Sequence, residues 1–284
     1  MKTKTFAFLL GFPFACLSQS LQSSEKAMVE LKAGFYKPLY IEPQDIKLEK
    51  SIDLKSAKRQ KRPPTGAVKR EEKILVKAFL LDRYPVTRAD FLNFTKEHPR
   101  WQRSRVKSIF ADSSYLSDWG SDIDIGSAHS PKAPVRFVSW FAARAYCESN
   151  GKRLPTLAEW EYAGAAYKNE KNLNQSILDW YSKPTNKMLR EVGSTSPNDF
   201  GVYDLHGLIW EWVEDFNSSL VTGESRADAS LDKAAFCGSG GLGASDFKNY
   251  AAFMRFGFRS SLRGSFALAN LGFRCARDKN GRAL

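Results

Sequence analysis

Asn198-Asp199-Phe200-Gly201-Val202-Tyr203-Asp204-Leu205-His206-Gly207-Leu208-Ile209-Trp210-Glu211-Trp212-Val213-Glu214-Asp215 is the stretch that decides how this chain is read. Carboxylates, glycines and two tryptophans stand within one short run. Two further segments belong with it. The first is Pro134-Val135-Arg136-Phe137-Val138-Ser139-Trp140, which leads into Ala145-Tyr146-Cys147, Gly151-Lys152-Arg153-Leu154-Pro155-Thr156 and Glu159-Trp160-Glu161-Tyr162-Ala163. The second is Asn270-Leu271-Gly272-Phe273-Arg274-Cys275-Ala276.

Around these segments the pattern is one of short elements. Met28 to Tyr36 alternates as a strand, and Lys73 to Asp82 reads as another, ended by Pro85-Val86-Thr87. Thr87 can cap a helix from Arg88 through Glu97, with Phe91, Leu92 and Phe94 as its apolar side. Trp101 to Lys132 shows little periodicity and reads as an irregular surface segment. A helix begins at Ser139 or Trp140 and stops near Asn150-Gly151. Thr156-Leu157-Ala158-Glu159 is a capping box that opens another, with Trp160 and Tyr162 packing inward. Lys168 to Thr195 is polar, and no internal repeat is visible. The fold class expected is α+β with much irregular backbone.

The chain has 284 residues. Lys2 and Lys4 precede an apolar run, Phe6 to Ala15, too short to cross a membrane but suited to a signal peptide over 1–20. Ser18 and Ser20 suit cleavage and simple secretion; Cys16 after Ala15 offers the other reading, a lipoprotein. Residues 21–284 then read as one domain. Within it, a basic insertion at about 47–73 carries much of the +12 net charge, with Pro63-Pro64 and Gly66 in its middle. Basic runs can bind nucleic acid, but this one lacks aromatic residues for base stacking, and a secreted chain meets little nucleic acid. The alternatives are a solvated insertion, or docking to an acidic partner or an anionic envelope surface.

An oxidising compartment allows one disulfide among Cys147, Cys237 and Cys275, and leaves one thiol over. Counting alone does not choose the pair. Cys237 is either a small buried hydrophobe or a reactive thiol. His98, His129 and His206 form no metal-binding spacing, no glycine-rich phosphate loop precedes a helix, and no nucleophile elbow is visible.

The three ordered segments resemble the formylglycine-generating enzyme, or sulfatase-modifying factor, family. That resemblance implies the family's variant of the C-type lectin fold. It implies a disulfide between Cys147 and Cys275, whose long loop the chain-entropy model values at roughly 2–5 kcal/mol. The second bridge of many relatives aligns with Gly164 and Phe256, so both of its partners are absent here. The resemblance also implies calcium held by the Asp204 and Glu211 side chains and the carbonyls of Gly207 and Ile209; the oxygen-only set suits calcium, and the alternative is a capped loop without metal. The copper cysteines of the family align with Asp246 and Ala251, so no copper is expected, because Cu(I) needs a thiolate pair. Trp210, Asp246, Tyr250 and Arg255 align with the substrate groove, Trp210 as a binding residue and the other three as candidate catalytic residues; the alternative is an ordinary core with a surface acid. Arg259 matches a further family arginine.

The chain resembles the branch that holds the pyoverdine-maturation protein and the proteins encoded beside copper nitrite reductases. The expected function is periplasmic maturation of a peptide, siderophore-like or protein substrate, by oxidation without copper. The alternative is a non-catalytic module that binds peptide, protein or glycan on the same scaffold.

Overall fold

The computed structural model describes residues 28–36, 73–166, 180, 188–216, 258–259 and 261–279. The basic insertion lies outside them apart from Lys73, as do the signal segment, Cys237, Asp246, Tyr250, Ala251, Arg255 and Phe256.

The two strands expected at the start are each broken in two. β1 (Met28–Leu31) and β2 (Gly34–Tyr36) replace the first, and β3 (Ile74–Val76) and β4 (Phe79–Asp82) the second. The break is a change of partner. β1 pairs antiparallel with β4, while β2 pairs antiparallel with β3 as a separate ribbon. Local alternation looks the same on both sides of such a break, so sequence pattern runs through it. Gly34 marks the crossing: a Cβ there would meet the Tyr162 hydroxyl, which donates to the Lys32 carbonyl. β7 (Ala276–Asp278) completes the first sheet on the far side of β4, in the order β1-β4-β7.

The helices follow their local signals. α1 (Arg88–Glu97) starts at Thr87, whose side chain accepts from the Asp90 amide while Asp90 reaches back to the Thr87 amide. α2 (Trp140–Ser149) is capped by Ser139 and ends at Asn150, with Gly151 at φ 64° supplying the left-handed turn. α3 (Leu157–Gly164) carries the expected capping box of Thr156 and Glu159. Its inward face differs slightly from expectation: Trp160 is buried, Tyr162 is half-buried and Glu161 is buried.

The core gathers where α1, α2 and the C-terminal segment meet. Phe91 packs against Phe94, Trp119, Tyr146 and Phe273. The Cys147–Cys275 disulfide ties α2 to the residue before β7, with both cysteines buried and their Cα atoms 5.6 Å apart.

The irregular segment 101–132 is more than a surface covering. Trp101, Ala111, Tyr115, Leu116 and Trp119 are buried in it. With few ladders there, charge takes over the tying. Asp118 accepts from Arg88 and Arg136, each at 2.8 Å. Burial pushes the Asp118 carboxyl up, but the hydrogen bonds and charges of the two arginines outweigh it and hold the group below the usual carboxylate range.

Candidate functional site

The site grows from β5 (Trp210–Glu211), which pairs in parallel with β6 (Leu271–Gly272). Gly272 is required by packing: a Cβ would run into the Val135 carbonyl oxygen. The pairing lays the first signature segment beside the last. The strand's period of two sends Glu211 to the opposite side from the tryptophans that flank it. Trp212 goes to the core and donates from Nε1 to the Val138 carbonyl at 2.9 Å. Trp210 is half-buried, its ring 5.4 Å from Trp180 and 4.6 Å from Phe258.

Glu211 meets Arg274. Arg274 Nε donates to Oε2 and Nη2 to Oε1, both at 2.8 Å, and Trp160 Nε1 adds a third donor at 2.8 Å. Both charged side chains are fully buried. The remaining donors of Arg274 go to the carbonyls of Asp82, Arg83 and Tyr203. A guanidinium has five N–H groups, and every nitrogen here is used. The pair therefore joins β4, the turn before β5, β5 itself and the segment between β6 and β7.

The turn that leads into β5 holds the other expected calcium ligands. Asp204 and Gly207 take left-handed backbone, at φ 58° and 93°. Such a conformation is costly for most residues, tolerated by Asp and free for Gly. The buried Asp204 carboxylate accepts from the Gly193 amide and the Thr195 hydroxyl. Ile209 is buried. The Gly207 carbonyl accepts from Nη2 of the exposed Arg190 at 3.1 Å. A carboxylate offers about four lone-pair sites, so Asp204 keeps acceptor capacity beyond its two bonds and Glu211 keeps less. The Gly207 carbonyl is engaged by Arg190 and both Glu211 oxygens by Arg274, so a cation at this turn would have to compete with those donors. Among the described residues, no group of three or more His, Cys, Asp or Glu side chains stands close enough to form a metal site by itself.

His206, in the same turn, contacts the Gly164 carbonyl at 3.0 Å and stands edge-on to Trp160. A Cβ on Gly164 would lie 3.1 Å from His206 Nε2. The imidazole thus crowds the place where a side chain at position 164 would begin.

Of the residues aligned with the groove, the described part contains Trp210 alone; Asp246, Tyr250 and Arg255 lie outside it. Three residues of this region escaped the sequence reading. Arg274 was inside a quoted motif, but nothing local shows that its partner is Glu211. Arg190 and Trp180 lie in the stretch read only as polar; a lone tryptophan there was the available signal.

The family model described as "Sulfatase-modifying factor enzyme 1-like domain" matches residues 14–279. The chain belongs to this family, and its α+β fold is the family's variant of the C-type lectin fold. Among curated proteins, it is 31% identical over 249 residues to "Inactive C-alpha-formylglycine-generating enzyme 2" of Bos taurus, covering 72% of this chain and 78% of that one. It is 26% identical over 260 residues to "Formylglycine-generating enzyme" of Bos taurus, covering 72% and 67%. Among solved structures, it is similar to PvdO from Pseudomonas aeruginosa, with a TM-score of 0.46, 19% identity and coverage of 88% and 94%.

Proposed function

We propose that this chain is an exported, periplasmic maturation factor acting on a peptide- or protein-derived substrate, without the copper-thiolate chemistry of formylglycine synthesis. Family membership supports the maturation role. The observation that carries the rest is the Cys147–Cys275 bridge. It takes two of the chain's cysteines out of metal binding, and Cys237 is then the one thiol left after the leader. It also agrees with the alignment of Cys275, from which Asp246 and Ala251 are counted onto the copper positions. One thiolate cannot form a two-sulfur Cu(I) site, and a carboxylate is a hard ligand. In this reading Trp210 forms a wall of the substrate groove, with Asp246, Tyr250 and Arg255 as its polar groups, and Asp246 moves the proton. The basic insertion docks the protein to an anionic envelope surface.

The expected result is weak Cu(I) binding in an anaerobic titration against a competing chelator, and no formylglycine from a Cys-x-Pro-x-Arg peptide by mass spectrometry. Peptide extracts of cells with and without the gene should differ by a modified species that wild-type restores and Asp246→Ala does not. Tight stoichiometric copper with conversion of the peptide would overturn the reading. The relative named as inactive favours a second reading, a binding module. Unchanged peptide masses, together with a peptide retained on the immobilised protein and released by a Trp210→Ala change, would select it.

We also propose calcium at the Asp204–Glu211 turn, entering as Arg190 leaves the Gly207 carbonyl. A ligand that binds only the folded state raises its stability with concentration. Melting temperature should rise with calcium in wild-type, rise at lower calcium in Arg190→Ala, and stay flat in Asp204→Ala. Melting that ignores both calcium and chelator in all three proteins would remove the metal from this turn.

A further inference from the structure

The β2–β3 ribbon turns an apolar face outward. Phe35 and Leu75 are direct partners across it, and are 65% and 59% exposed. Tyr36 and Val76 point the other way and are buried. Ile74, at the ribbon's end, is 40% exposed. Lys73 and Lys77 bracket β3, one just before it and one just after it, and both are exposed. Lys32 is exposed where the chain enters β2. The sequence between Tyr36 and Lys73, 37–72, leaves and returns at this ribbon and contains the basic insertion.

Lysines on an exposed ribbon can serve simply to block edge pairing. They do not account for a phenylalanine and a leucine held side by side in water. A protein partner is disfavoured by size: one phenylalanine and one leucine, fully covered, give well under half of the about 800 Å² that each side of a stable interface needs. A lipid surface sets no such minimum. Apolar side chains that enter the headgroup boundary, rimmed by lysines that reach the phosphates, are the two signals that together give stable attachment.

We propose that the Phe35–Leu75 face of the β2–β3 ribbon is a docking site for an anionic lipid surface, with Lys32, Lys73 and Lys77 as its charged rim. This deepens the envelope docking proposed above, and rests on it for the location of the protein. The test is co-sedimentation of the mature full-length chain with vesicles of phosphatidylglycerol mixed with phosphatidylcholine, and with phosphatidylcholine alone. Binding should need phosphatidylglycerol and weaken as salt is raised. Phe35→Ser with Leu75→Ser should reduce partitioning more than about tenfold, and Lys73→Glu with Lys77→Glu by a similar factor, with melting curves that match wild-type. Binding that survives the serine pair but is lost when the charges of 55–70 are neutralised would overturn the ribbon site and keep the basic insertion as the anchor. Loss in neither set, or equal binding to both vesicle types, would overturn both. Concentration-dependent association of the protein with itself, abolished by the serine pair, would make the face a protein interface instead.

Discussion

Arg274→Ala should lower the unfolding free energy by about 3–5 kcal/mol, measured by urea denaturation of calcium-free protein. The reason is the state in which it leaves Glu211: a fully buried carboxylate with the Trp160 indole as its remaining neutral donor. The carbonyls of Asp82, Arg83 and Tyr203 each lose one donor as well, although Arg83 keeps the Tyr203 amide. Arg274→Lys should recover little of the loss. An ammonium cannot make the two-pronged contact with Glu211 and reach three carbonyls on another side. Replacing both charged partners, Arg274→Met with Glu211→Leu, should be far less costly than either single change, because it removes the stranded charge along with its partner. A loss below about 1 kcal/mol for Arg274→Ala would show that the carboxylate has a second cation to hold it.

Cys147→Ala with Cys275→Ala should cost a comparable amount. The bridge spans 128 positions of sequence. In the chain-entropy model a loop of that length is worth about 5 kcal/mol, the upper end of what single disulfides give. Both cysteines are buried, so alanine is the better probe; a serine would add the cost of an unpaired hydroxyl. The check is a pair of urea curves, wild-type with and without reductant and the double variant without it. The reduced wild-type and the variant should superimpose. Non-reducing peptide mapping should find Cys237 outside any bridge; a bridge containing Cys237 would undo the register on which Asp246 and Ala251 were placed. Arg274 and Cys275 are neighbours, so their losses should not add.

The sequence showed what is local. Thr87, Ser139 and Thr156 announce the starts of α1, α2 and α3 because a cap acts on amides two or three residues away. Asn150-Gly151 announced a helix end for the same reason. The strands were located but not divided, because whether Met28–Tyr36 is one strand or two depends on which distant strand lies beside each half. The segment 101–132 reads as covering, yet Tyr115 and Trp119 are buried, because their contacts have no period to read. In the candidate site, the turn and the tryptophans were legible as a motif. The partners of its acids were not: Arg274 lies 63 positions beyond Glu211, and only the β5–β6 pairing brings them together.

The β1-β4-β7 order has a consequence for how the protein comes to exist. Met28–Leu31 is made early, yet the sheet that holds it is complete only when Ala276–Asp278 joins β4 from the other side. The same last stretch brings Arg274 to Glu211, Cys275 to Cys147 and β6 to β5. A chain still on the ribosome, short of residue 271, has none of these closures. Such non-local wiring makes folding slow, because loop entropy must be lost before contacts repay it. A truncation just before residue 271 should therefore remove the disulfide, the buried ion pair and two strand pairings at one stroke, far more than the few residues lost would suggest.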